Sequence, residues 1–167
     1  MTPIWALTIA YWMHMLATVI WIGGLAILSI LVIPAARKSL DEQAFAALLE
    51  GIQRRLDPLA WFSMLVLLGS GMLQMNANPN YDGFLAIDNT WAVAILVKHI
   101  LFGLMVVVSS YITWGILPAL RRAALQQARG IEISQIDLLQ RREANLLRLN
   151  LILGVLVLAL TALARSA

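Results

Sequence analysis

The stretch YWMHMLATVIWIGGL, residues 11–25, has the composition of a membrane-spanning helix and carries a histidine in its midst. An imidazole placed in hydrocarbon loses water as a hydrogen-bond partner, so His14 needs a partner from the protein or a ligand. The rest of the chain repeats the apolar character. Of its 167 residues 61% are hydrophobic and 13% charged, and its mean hydropathy is +0.83, far from the balance of a water-soluble domain.

A helix needs about 20 mostly apolar residues to cross the hydrocarbon core. Four stretches qualify, at about 4–34, 59–75, 91–117 and 146–164. Backbone amides in lipid must be satisfied within the segment, and the apolar runs lack the period-two alternation of a barrel. The prediction is an all-α integral membrane four-helix bundle, a single domain over 1–167, without internal repeats. A cleavable signal peptide would require a basic start and a short apolar core, and no basic residue precedes Arg37, so the first helix is expected to be retained.

The net charge is +3, and placement gives it its meaning. Arg37, Lys38, Arg54 and Arg55 lie between the first two apolar stretches; Arg121, Arg122, Arg129, Arg141, Arg142 and Arg148 lie around the link between the last two. The loop at 76–90 and the N-terminus carry none. The positive-inside rule then places both termini outside a bacterial-type inner membrane, with amphipathic helical links in the cytoplasm, and the basic residues serve orientation and headgroup contact, not nucleic acid. SLDE at 39–42 and SQID at 134–137 are capping-box patterns that open helices, and Asp57-Pro58 is expected to restart the chain as the second spanning helix. Helix three is expected to run past Pro118 and to end at Gly130. The outer loop NANPNYDGFLAIDNT, 76–90, is rich in turn formers and long enough to fold over the mouth of the bundle as a lid.

Cysteine is absent, which excludes thiolate metal sites and iron–sulfur clusters. No catalytic triad, phosphate-cradling glycine loop, zinc motif or carboxylate dyad appears, which excludes hydrolase and nucleotide-binding classes. What remains is a pair of histidines. His14 lies ten residues after Ile4 and His99 eight after Trp91, so two helices entering from the same side place them within roughly 3 Å of one depth, in the outer half of the bilayer. Two imidazoles without thiolates suit the axial positions of haem iron, or a copper site completed by methionine such as Met72 and Met75 with the acidic loop residues Asp82 and Asp88. Thr18 and Trp21 continue the His14 face, and Gly103 continues the His99 face and leaves room for a flat macrocycle. Lys98 either snorkels outward or meets an anionic group such as a propionate. Gly23, Gly24, Gly69 and Gly71 are expected to let helices approach.

His14, then Trp21, Gly23, Gly24 and Leu25, and later Trp91 ahead of Lys98 in an apolar helix, resemble the CopD-like group of small membrane proteins, which includes the copper-resistance D domain and the HemJ-type protoporphyrinogen oxidases. The resemblance implies a four-helix core that holds b-type haem, with His14 as its best-matched ligand. The places where HemJ-type sequences carry further histidines read LVIPAARK and SSYITW here.

The leading expectation is a haem b redox protein with His14 and His99 as axial ligands and Lys98, Trp21, Thr18 and Gly103 around the cofactor, passing electrons to or from a membrane or periplasmic partner. Three alternatives stay open: a HemJ-type oxidase, which would be an oxidoreductase with turnover; a copper transport or resistance protein; and an accessory subunit of a larger membrane complex, with Trp5, Trp12, Trp61, Trp91 and Trp114 as anchors or contacts. A homo-oligomer is left open as well.

Overall fold

A computed structural model describes residues 3–85, 87–127 and 136–167. It is all-helical, with four helices long and apolar enough to cross a membrane. The first comprises α1 (Ile4–Ala26), a π-helical turn (Ile27–Val32) and α2 (Ile33–Ser39). Next comes α3 (Glu42–Asn76); then α4 (Thr90–Tyr111), a second π-helical turn (Ile112–Ile116) and α5 (Leu117–Gln127); and finally α6 (Ile136–Ser166).

The elements are longer than the sequence predicts, for local reasons. Helix α3 opens not on Ser39 but on Asp41, whose carboxylate accepts from the Ala44 N–H at 2.8 Å. It then continues through Pro58 without a restart. A proline removes one donor from the ladder, and here it does so at a turn whose residues Arg54 and Arg55 are exposed, so the freed carbonyl has other partners within reach. Thirty-five residues make α3 about 50 Å long, well beyond the hydrocarbon core. Gly130 and Ser134, the expected end and start of the last two helices, lie outside the described residues.

Both π-helical turns sit immediately before a proline. Val32 ends the first and Pro34 follows two residues on; Ile116 ends the second and Pro118 follows at the same spacing. Widening the turn accommodates the ring and the missing N–H of the proline. The surrounding residues repeat too: IPAARK at 33–38 answers LPALRR at 117–122. Helices one and three therefore share a local plan at this end, a π-helical turn, a proline and two basic residues.

Helix α1 packs along α3, and α4 along α6, while α1 also meets α6. The core runs through Ala17, Trp21, Leu25, Met64, Leu67, Met105, Val108, Leu147 and Leu153. The helices approach closely at Gly154, where a Cβ would come within 3.3 Å of the Met105 methyl and 3.4 Å of Ile22; at Gly103 it would meet nothing. Of the five candidate anchors, Trp5, Trp12 and Trp114 are exposed, Trp61 stacks on Trp114 at 5.0 Å, and Trp91 is buried.

Overpacking a filled core costs about 1–3 kcal/mol. Gly154→Leu is therefore expected to lower the thermal unfolding midpoint in mild detergent by several degrees, while Gly103→Leu leaves it within about 0.5 kcal/mol of the parent.

Candidate functional site

The four-helix packing leaves a cavity of about 640 Å³ between α1 and α4, closed by α3, α6 and the loop after α3. His14 and His99 both border it, as do Thr18, Trp21 and Lys98. Gly103, the sixth residue expected there, lies on the exposed face of α4 and outside the lining.

Each histidine has one ring nitrogen committed. The Ser70 hydroxyl donates to the Val66 carbonyl, so its oxygen accepts, and it lies 2.9 Å from His14 Nδ1. His99 Nδ1 lies 2.7 Å from the carbonyl oxygen of Ile95, which can only accept. Both rings therefore carry the proton on Nδ1 and keep Nε2 as a lone-pair donor. A hydrogen bond at one imidazole nitrogen orients the ring and raises the basicity of the other, the usual arrangement of a ligating histidine. Gly71 permits it for His14: a Cβ there would stand 3.4 Å from the ring. Thr18 spends its hydroxyl on the His14 carbonyl, at 2.7 Å, and offers the cavity only its methyl side.

The floor is aromatic. Trp21 meets Phe102 edge-to-face at 5.7 Å, seven residues beyond His14 and three beyond His99. Beside it Met105 and Ile22 converge on the Gly154 position.

The loop covers the mouth. Asn78, Pro79 and Asn80 line the cavity, and Phe84 packs edge-to-face on the His99 ring at 5.2 Å. Gly83 makes that turn with φ of 128°, a conformation other residues adopt only under strain. Asp82 and Asp88 are exposed and outside the lining. Two cations border the cavity: Lys98, and Arg165, whose guanidinium lies 5.3 Å from the centre of the Tyr11 ring. The sequence reading missed Arg165, since nothing in the chain shows that the last turn of α6 returns beside Tyr11. Among the methionines, Met75 is buried and lines the cavity while Met72 is 55% exposed and does not. Among the described residues no group of three or more His, Asp or Glu is gathered, so a metal held here would depend on the two imidazoles and softer or weaker donors.

The sequence model of one family, copper resistance protein D, matches residues 50–164. This chain belongs to that family. The match takes in α4 with Lys98 and His99, and it leaves His14 on the unmatched first helix. No curated protein and no solved structure matches the chain. Family and fold together make it a copper-resistance-related protein with four helices able to span a bilayer.

Removing the partner that orients a ligating histidine typically weakens metal binding ten- to hundredfold. Ser70→Ala is expected to lower Cu⁺ affinity by that range in competition with a chromophoric chelator. Thr18→Ala, whose hydroxyl touches only the helix backbone, is expected to change it less than about threefold, the effect of well under 1 kcal/mol.

Proposed function

We propose that this protein handles copper at the outer side of a bacterial-type inner membrane, taking the ion as cargo through Nε2 of His14 and of His99 with the Met75 thioether as a further donor. The observation that carries the reading is the shared state of the two rings: each has Nδ1 bonded to an acceptor and Nε2 left for the one cavity both border. Imidazole and thioether together suit copper better than the hard cations, and the family is the copper resistance D family. The lid residue Phe84 packs on His99 at the mouth, so the loop controls entry from that side.

A second reading, haem b held axially by the same histidines and passing electrons to a membrane partner, is favoured by the cavity itself. About 640 Å³ lies within the range of pockets for sizeable organic ligands and far exceeds a bare ion. Trp21 and Phe102 form an apolar floor, and Lys98 and Arg165 are placed for anionic groups such as propionates.

Metal analysis and absorption spectra of the purified protein separate the two. After copper loading and dialysis the copper reading expects about one ion per chain and no Soret band, with affinity reduced at least tenfold in His14→Ala and in His99→Ala, a loss of about 1.4 kcal/mol or more. A Soret band abolished or shifted in both variants would replace copper with haem.

The same reading orients the chain. Ten of the twelve Lys and Arg residues lie, along the chain, in or beside the links between helices one and two and between three and four, which supports a cytoplasmic basic end and outer termini. The chain has no cysteine to interfere, so in intact cells with a permeable outer envelope a membrane-impermeant maleimide is expected to label Asp82→Cys but not Ser39→Cys.

A further inference from the structure

A second, smaller cavity of about 70 Å³ lies beyond Trp21, towards the basic end. Trp21 belongs to the walls of both cavities, so its ring, braced by Phe102, is the partition between them. The two differ in chemistry. The inner one is bordered by Gln53, Asp57, Ser109 and Asn150, and Gln53 donates to Oε1 of Glu143, which stands behind it.

Burial here is nearly complete. Glu143 is 1% exposed and Asn150 0%. Asn150 donates to the Ser109 hydroxyl at 2.8 Å, yet its Oδ1 has no protein partner, and neither do Oε2 of Glu143 and Oγ of Ser29. An unpartnered buried polar atom is costly, and the two on α6 call for partners that the protein does not provide. Glu143 and Asn150 are seven residues apart on one face of α6, about 10 Å along its axis, with the cavity-lining Leu147 between them. The lining is mostly apolar, but Gln53, Asp57, Ser109 and Asn150 give it a polar side at which a few ordered waters have hydrogen-bond partners. Asp57 is half-buried and borders the same cavity, which makes it the candidate link between those waters and bulk solvent.

We infer that the inner cavity is a proton-exchange site in which Glu143 binds the proton at Oε2 and trades it through the cavity waters and Asp57 with the basic end. The step is acid–base only: an O–H bond forms at Glu143 as one breaks at a water, whose proton is replaced from solvent by way of Asp57. Gln53 holds Oε1 in both states, because its N–H₂ donates to a carboxyl as well as to a carboxylate. The charged groups bearing on Glu143 are Asp57 of α3 and Arg37 of α2, and Arg121 of α5 bears on Asp57. Trp21 keeps this exchange separate from the histidine cavity, and the site does not depend on which ligand that cavity takes.

Infrared difference spectroscopy of the full chain in lipid nanodiscs, recorded on stepping pH and in D₂O, tests the inference. A carboxylic C=O band is expected to grow as pH falls, to shift in D₂O and to vanish in Glu143→Gln, a replacement that preserves shape and the acceptor for Gln53. In Asp57→Asn the band is expected to persist while its hydrogen–deuterium exchange slows at least tenfold. Should Glu143→Gln fail to fold, Gln53→Ala decides the matter, since loss of the bond to Oε1 shifts the frequency of a Glu143 band and of no other. A pH-difference spectrum unchanged in Glu143→Gln, or insensitive to Gln53→Ala, overturns the assignment to Glu143, and an exchange rate unchanged in Asp57→Asn overturns the route.

Discussion

An imidazole inside an apolar helical bundle must hydrogen-bond to something, and the rest of the site follows from what it bonds to. At His14 the acceptor is Ser70, itself polarised by the Val66 carbonyl; at His99 it is the Ile95 carbonyl of its own helix. Each ring is thereby fixed in one tautomer with one nitrogen left over. A histidine that served only packing would need no free nitrogen at a cavity wall. Two of them, on different helices, border one cavity, and in the proposed reading they are its ligands.

The backbone serves this arrangement by splitting into two hairpins. Helix α1 lies on α3 and α4 on α6, and each histidine-bearing helix ends in a π-helical turn, a proline and a pair of basic residues. The gap between the hairpins holds the larger cavity, with Asn78, Pro79 and Asn80 of the loop after α3 among its walls. Trp21 and Phe102 then fill the gap, and beyond them lies the smaller inner cavity, mostly apolar but bordered by Gln53, Asp57, Ser109 and Asn150.

Much of this was legible in the chain. Four apolar runs, their helical character and the charge asymmetry follow from hydropathy and position alone, and two histidines in a cysteine-free membrane chain stand out by the cost of burying them. His14, His99, Thr18, Trp21 and Lys98 do share one cavity. Gly103 does not, because a glycine three or four residues from a histidine shares its face only approximately, and the neighbouring helix decides which side is inside. Continuous helix through Pro58 was missed because a proline ends a helix only where the freed carbonyl lacks another partner. Gln53 and Glu143 gave no signal: each stands beside an arginine and reads as part of a solvated basic surface until the fold turns it inward, while Asn150 lies alone within the last apolar stretch, where no motif marks it.

The central claim is that both imidazoles present Nε2 to one ligand, and it is tested most directly by nitrogen NMR of the protein labelled with ¹⁵N-histidine, since the chain has only two. Both rings should show the Nδ1-protonated tautomer, and diamagnetic Cu⁺ should shift both Nε2 resonances together at a single stoichiometry while leaving both Nδ1 protons in place. An Nε2-protonated tautomer at either ring, or a shift at one histidine without the other, would contradict a shared site.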